Sequence, residues 1–172
     1  MESQEISESI DKAREANENR IGLTMAVVAV LLAIATMLGH RAHTEEVLIQ
    51  TRANDQWAYY QAKTIRAHMY EADSELSTLL PHGDQKAEDF KKRAEDQRKG
   101  AEDIRKEAEA KERETDDTSR KAGQFDSAEI FLEISIVLCS ITLLTRRKLF
   151  FFVSFASTIV GIVFVARGLL VR

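Results

Sequence analysis

Cysteine and proline are almost missing from this sequence, with one of each in 172 residues. The single Cys139 leaves no disulfide framework and no CxxC metal pair. It sits inside an apolar run, where it reads as a small side chain packing between helices. The single Pro81, in "LLPHGD", stands two residues before Gly83 and marks a turn in an otherwise unbroken polar stretch. Catalytic signatures are missing too. There is no GxSxG, HExxH, P-loop or GxGxxG, and no pair of carboxylates placed in a plausible cleft. These absences lead to the expectation of a protein that is not an enzyme and holds neither cofactor nor metal.

What is present is apolar residue in three blocks: "IGLTMAVVAVLLAIATML" (21–38), "AEIFLEISIVLCSITLLT" (128–145) and "LFFFVSFASTIVGIVFVA" (149–166). Each is close to the roughly 20 residues that span a hydrocarbon core, and the first and third carry no charge. The segment before the first block holds six acidic and three basic residues, unlike the basic n-region of a signal peptide. It is therefore read as preceding a retained anchor. Arg146, Arg147 and Lys148 form the densest basic cluster in a short loop, which the positive-inside rule places in the cytoplasm. Arg41, Arg167 and Arg172 on the other side, and the acidic N-terminus, argue the opposite way. The favoured orientation puts the N-terminus and the 146–148 loop in the cytoplasm of a bacterial inner membrane, with the polar domain in the periplasm.

The polar domain repeats itself. Residues 87–107 read AEDFKKR, AEDQRKG, AEDIRKE, one heptad written three times. The stripe Ala87, Phe90, Ala94, Gln97, Ala101, Ile104, Ala108 is thin for a coiled coil, which wants apolar residues at both seam positions. Upstream, Ala58, Ala62, Ile65, Met69, Ala72, Leu76 and Leu79 recur with heptad spacing. A fold at 81–84 would face the stripes antiparallel, with Leu79 on Ala87, Leu76 on Phe90, Ile65 on Ala101, Ala62 on Ile104 and Ala58 on Ala108. Large would meet small. Continued toward the membrane, this register sets Asp55 against Lys111 as a buried hairpin pair; the alternative is that the arms splay there and both charges are solvated. The second arm (85–121) carries twelve basic and twelve acidic residues. That balance argues against a nucleic-acid surface, which needs a patch of one sign. Glu88–Lys92, Glu95–Lys99 and Glu102–Lys106 have the spacing of helical ion pairs. Near 123 the arm is expected to break, and Asp126 with Glu129 has capping-box spacing to start the next helix.

The expected fold is an all-α membrane protein with three transmembrane helices and a long antiparallel coiled-coil hairpin between the first and second. Its parts are a polar N-terminal helix (1–20), a first span (21–39) and the hairpin (40–127, turn at 81–84). A second span (128–145), a basic loop (146–148), a third span (149–166) and a C-terminal tail (167–172) follow.

"NDQWAYYQAKTIRAHMY" (54–70), together with "GQFDSAEIFLEISIVL" at the second span, resembles a bacterial family catalogued only as a domain of unknown function. The motif residues are Asn54, Asp55, Trp57, Tyr59, Tyr60, Gln61, Lys63 and Arg66. The resemblance implies a membrane protein and brings no activity with it. Physically, Trp57, Tyr60 and Lys63 (or Thr64) fall near one face, beside the expected seam. With Tyr59 and Arg66 they are candidate partner-binding residues, since Trp, Tyr and Arg dominate binding energy between helices. The alternative is that the rings cap the alanine layers of their own hairpin.

In the spans, Gly22, Ala26, Ala29, Ala33 and Thr36 make a small-residue stripe, and Ser157 with Gly161 a small-xxx-small pair. Glu133 is an ionisable group inside the second span, with Ser135, Cys139 and Thr142 as neighbouring polar side chains. It reads either as a structural carboxylate, paired with Arg41 or Arg167 or reaching interfacial water, or as part of an ion path. His40 and His43 have the spacing of two metal ligands but no third, and read as interfacial histidines. The functional expectation is a scaffold acting through its stalk, as a homo-oligomer or as an accessory subunit of a larger membrane complex. The rival is a small ion or proton channel using Glu133.

Overall fold

The structure, a computed structural model, describes the backbone of residues 2–170, with side chains for Lys12, Glu15, Ala16 and residues 18–170. Arg172, one of the cations weighed for orientation, lies outside the described residues. The described residues form three helices: α1 (Glu2–Thr78), α2 (Asp84–Thr145) and α3 (Lys148–Leu170). Among the described residues there is no strand. All three helices are long and apolar enough to cross a membrane, as expected of a membrane protein. The helices divide the chain into two compact units, one holding the residues up to His43 and from Thr118, the other Thr44–Asp117.

The expected break near 123 is absent, because α2 runs through it without interruption. Ala122, Phe125, Ala128 and Leu132 are all buried at helical spacing, so a kink here would pull that face off its packing. Asp126 and Glu129 do not cap a helix. The Asp126 carboxylate lies 3.1 Å from His43 Nε2, and Thr36 Oγ1 donates to Glu129 at 2.9 Å.

In the first unit the core is a seam of small and aliphatic side chains. Val28 and Ala35 of α1 meet Ala128 and Leu132 of α2, and Ala42 meets Ala122 and Phe125. Phe131 and Phe164 stack at 5.6 Å. On α3 the buried face is Ser154, Thr158, Gly161 and Gly168. The two glycines are there for room: a Cβ on Gly161 would meet Leu132 Cγ at 2.9 Å, and one on Gly168 would meet the Phe125 ring at 2.9 Å. Helix approach this close is what small residues permit in membrane bundles. On α1, Thr36 is half-buried but Gly22, Ala26, Ala29 and Ala33 are exposed. The small stripe read from the sequence therefore lies outside the bundle.

In the second unit the two arms pack along each other. The reversal is tight: Leu80 N–H donates to Ser77 O at 3.1 Å and Gly83 N–H to Leu80 O at 3.1 Å. His82 adopts a left-handed φ of 62°, a conformation in which histidine is enriched. A Cβ on Gly83 would run into the Ser77 carbonyl, so glycine allows the chain to press against the end of α1. On α2 the heptad stripe is the inner face as expected, with Ala87, Ala94, Ala101, Ile104 and Ala108 all buried. On α1 it is not. Ser74 Oγ donates to Ala87 O at 2.8 Å and Tyr70 stacks on Phe90 at 6.1 Å. Expected on Ala87 and Phe90 were Leu79 and Leu76, so the register has slid by five or six residues. The turn accounts for part of this slide: it closes at 79–83 rather than 81–84, which moves the pivot of the antiparallel pair by one and a half residues and its facing positions by three.

Candidate interaction surface of the paired arms

That slide exchanges the faces of α1. Its inner stripe is Ile49, Ala53, Trp57, Tyr60, Thr64, Ala67, Tyr70, Ser74 and Ser77, each buried or half-buried. The expected seam lies outside. Ile65 is 58%, Met69 60%, Leu76 61% and Leu79 79% exposed, with Ala58 and Ala72 exposed and Ala62 half-buried beside them. Both stripes have heptad spacing, five residues apart. The inner one suits an alanine-lined partner because its small and hydroxyl side chains allow close approach, and its rings fill the remaining width.

The candidate partner-binding residues divide accordingly. Trp57 and Tyr60 are half-buried and meet edge to face at 5.6 Å, so they belong to the seam and not beside it. Trp57 Nε1 is buried with no hydrogen-bond partner among the described residues. Lys63 reaches across to α2, where Gly100 leaves space for it: a Cβ there would lie 2.5 Å from Lys63 Nζ. The same ammonium stands 5.6 Å from the Tyr59 ring centroid, a cation–π distance. Tyr59 and Arg66 are exposed and flank the outer stripe.

Asp55 and Lys111 do not form a buried pair. Asp55 is exposed, and Lys111 Nζ donates to Glu114 at 2.5 Å. Their expected apposition depended on the register that slid. The ion pairs of the arms are otherwise local or cross-arm. Glu71 bridges to Arg98, and Arg105 reaches Glu102 at 2.7 Å and Glu109 at 3.8 Å. The hydrogen bond to Glu102, with the charges of Glu102 and Glu109, raises the Arg105 pKa above its ordinary value.

In the first unit the intramembrane polar residues point in different directions. Ser135 donates to or shares protons with Ser154 and Thr158 (2.9 and 2.6 Å), and Cys139 Sγ lies 2.9 Å from Ser154 Oγ. Thr142 is buried and bonded to Leu138 O at 2.8 Å. Ser135, Cys139, Ser154 and Thr158 form a closed network between α2 and α3, and Thr142 bonds only within α2 among the described residues. Glu133 is exposed, beside the exposed Ile130, Ile134 and Val137. It does not line a common path with them. The contacts Thr36–Glu129 and Met25–Ser140 bracket its depth, placing it level with the interior of the charge-free run of α1. Among the described residues no group of three His, Cys, Asp or Glu side chains converges to hold a metal.

Sequence reasoning missed Ser154 and Thr158, which with Gly161 are spaced by four and three residues along one helix face, a legible signal. It also missed Tyr70 on Phe90, which only the register reveals. No curated protein and no solved structure matches the chain. Residues 17–171 match the domain of unknown function DUF4337, and the chain belongs to that family.

Proposed function

We propose that this protein is a non-enzymatic membrane assembly protein that self-associates through the outer face of α1. Its arms then form an antiparallel coiled-coil hairpin within each copy and a second helical contact between copies. The observation that carries this reading is the exposed heptad stripe from Ala58 to Leu79. A run of large aliphatic side chains on a polar helix marks an interaction surface.

The occupant that fits is a second copy. Copies anchored in one membrane insert alike, so their α1 arms run parallel and equivalent stripe residues meet at equal height. Leucine, isoleucine and methionine then pack on their own counterparts, as in a parallel coiled coil. The flanking positions that would approach are Gln61 with Arg66 and His68 with Asp73, so no like charges are brought together. Asp55 would meet its own copy, which ends the contact at Ala58. The site proposed for the assembly is the bacterial inner membrane, with the 146–148 loop cytoplasmic and the arms periplasmic.

The test is the mass and composition of the complex gently extracted from native membranes. A single polypeptide at a whole-number multiple of 19.4 kDa supports self-assembly. Other polypeptides in fixed ratio would instead make it an accessory subunit of a larger complex. A second reading, an ion path, draws on one observation: Glu133 faces outward near mid-membrane depth, where a carboxylate is costly in lipid. On that reading Glu133 lies between copies, and flux in liposomes is lost in Glu133→Gln while assembly persists.

A further inference from the structure

The first unit contains a cavity of about 290 Å³ at the end of the bundle that carries the basic loop. It opens where the apolar runs begin and end: Ile21 starts the run of α1, Thr142 nears the close of α2, and α3 begins at Lys148. That is the level at which lipid headgroups stand.

Three cations border this cavity: Arg20, Arg146 and Lys148. Among the described residues none of them forms an ion pair. Glu18 is the one acid in the lining, so positive charge is in excess. The helix geometry adds to it. The first turn of α3 contains no acidic residue, and its N-terminus presents the positive pole of the helix dipole. Basic residues at this end oppose the usual preference for acids. Arg146, at the turn itself, holds a left-handed φ of 57°, a conformation rare for non-glycine residues outside strained sites. Three cations against one acid in the lining leave an excess of positive charge that calls for an anion.

The remaining lining is apolar and aromatic: Leu143, Phe151 and Phe152. A soluble anion would gain nothing from these side chains, whereas a lipid places its phosphate and its acyl chains side by side. Leu144 and Leu149, 85% and 67% exposed, continue the apolar surface outward. Basic pockets between membrane helices at this level are the ordinary form of an anionic-lipid site. We infer that this cavity binds the phosphate headgroup of an anionic phospholipid, with Arg20, Arg146 and Lys148 around the phosphate and Phe151 and Phe152 against the chain.

The full-length protein, reconstituted in nanodiscs of phosphatidylcholine with phosphatidylglycerol, is released into a mass spectrometer and its retained lipids counted. Wild type is expected to keep phosphatidylglycerol in preference to phosphatidylcholine. Each cation removed should lower that preference by about fivefold, the effect of one basic residue near an anionic surface. Arg20→Gln serves as the first variant because it leaves the 146–148 charges that bias insertion intact; Arg20→Gln with Lys148→Gln serves as the second. Lys91→Gln with Lys92→Gln, on the other unit, should change nothing. Equal retention of both lipids, or unchanged preference in the Arg20 and Lys148 variants, would overturn the inference. So would thermal stabilisation by inorganic phosphate in plain phosphatidylcholine equal to that by phosphatidylglycerol, which would assign the cavity to a soluble anion.

Discussion

Placing charge in the outer stripe should abolish association without unfolding the arms. Ile65, Met69, Leu76 and Leu79 keep 58–79% of their surface in water. Full burial of such a side chain is worth roughly 1.5–3 kcal/mol, so covering what remains gives about 1–2 kcal/mol each. Two copies contribute eight side chains, a gross gain on the order of 8–16 kcal/mol, against an association cost of about 4–15 kcal/mol. Ile65→Asp with Leu76→Asp removes four of the eight, or about 4–8 kcal/mol, before any repulsion between the new carboxylates. At tenfold per about 1.4 kcal/mol, the complex weakens by roughly a thousandfold or more. Folding of the single chain should barely respond, since exposed substitutions stay within about 0.5 kcal/mol. The assay is sedimentation of the purified protein in detergent, with helix content and thermal melting recorded on the same sample. An unchanged sedimentation coefficient in the double variant would refute the argument. So would loss of assembly accompanied by melting of the arms, because the stripe would then be structural.

The inner face should behave oppositely: Ala94→Leu, at a position 2% exposed, is expected to overpack the arms by about 1–3 kcal/mol, whereas Ala72→Leu on the outer face leaves the melting temperature unchanged. Gly161→Ala and Gly168→Ala drive a methyl to within 2.9 Å of Leu132 and Phe125 and should lower thermal stability in detergent, while Gly123→Ala, with nothing within 4 Å, should raise it by about 0.4–1 kcal/mol. Ser135→Ala breaks hydroxyl contacts to Ser154 and Thr158 and is expected to cost about 0.6–1.7 kcal/mol, read from the same melts. A double-mutant cycle on Asp55→Ala and Lys111→Ala should be additive within about 0.5 kcal/mol; a clear coupling energy would restore the register that placed them together.

The sequence by itself determined that there are three membrane-length apolar helices, that a polar stretch separates the first two, and that α2 turns Ala87, Ala94, Ala101 and Ala108 inward. Those features are local: hydropathy over about 18 residues and a heptad repeated without competitor. It could not decide which face of α1 meets that alanine stripe, because α1 carries two heptad stripes and composition favoured the aliphatic one. Tertiary structure decided it through the turn, where Gly83 presses on Ser77 and brings Ser74 to Ala87 and Tyr70 to Phe90. The same holds in the bundle, where the depth and outward direction of Glu133, the closed network of Ser135, Cys139, Ser154 and Thr158, and the meeting of Arg20 with Arg146 and Lys148 around one cavity all depend on which helices touch. Periodicity names faces, and only packing chooses between two faces of equal period.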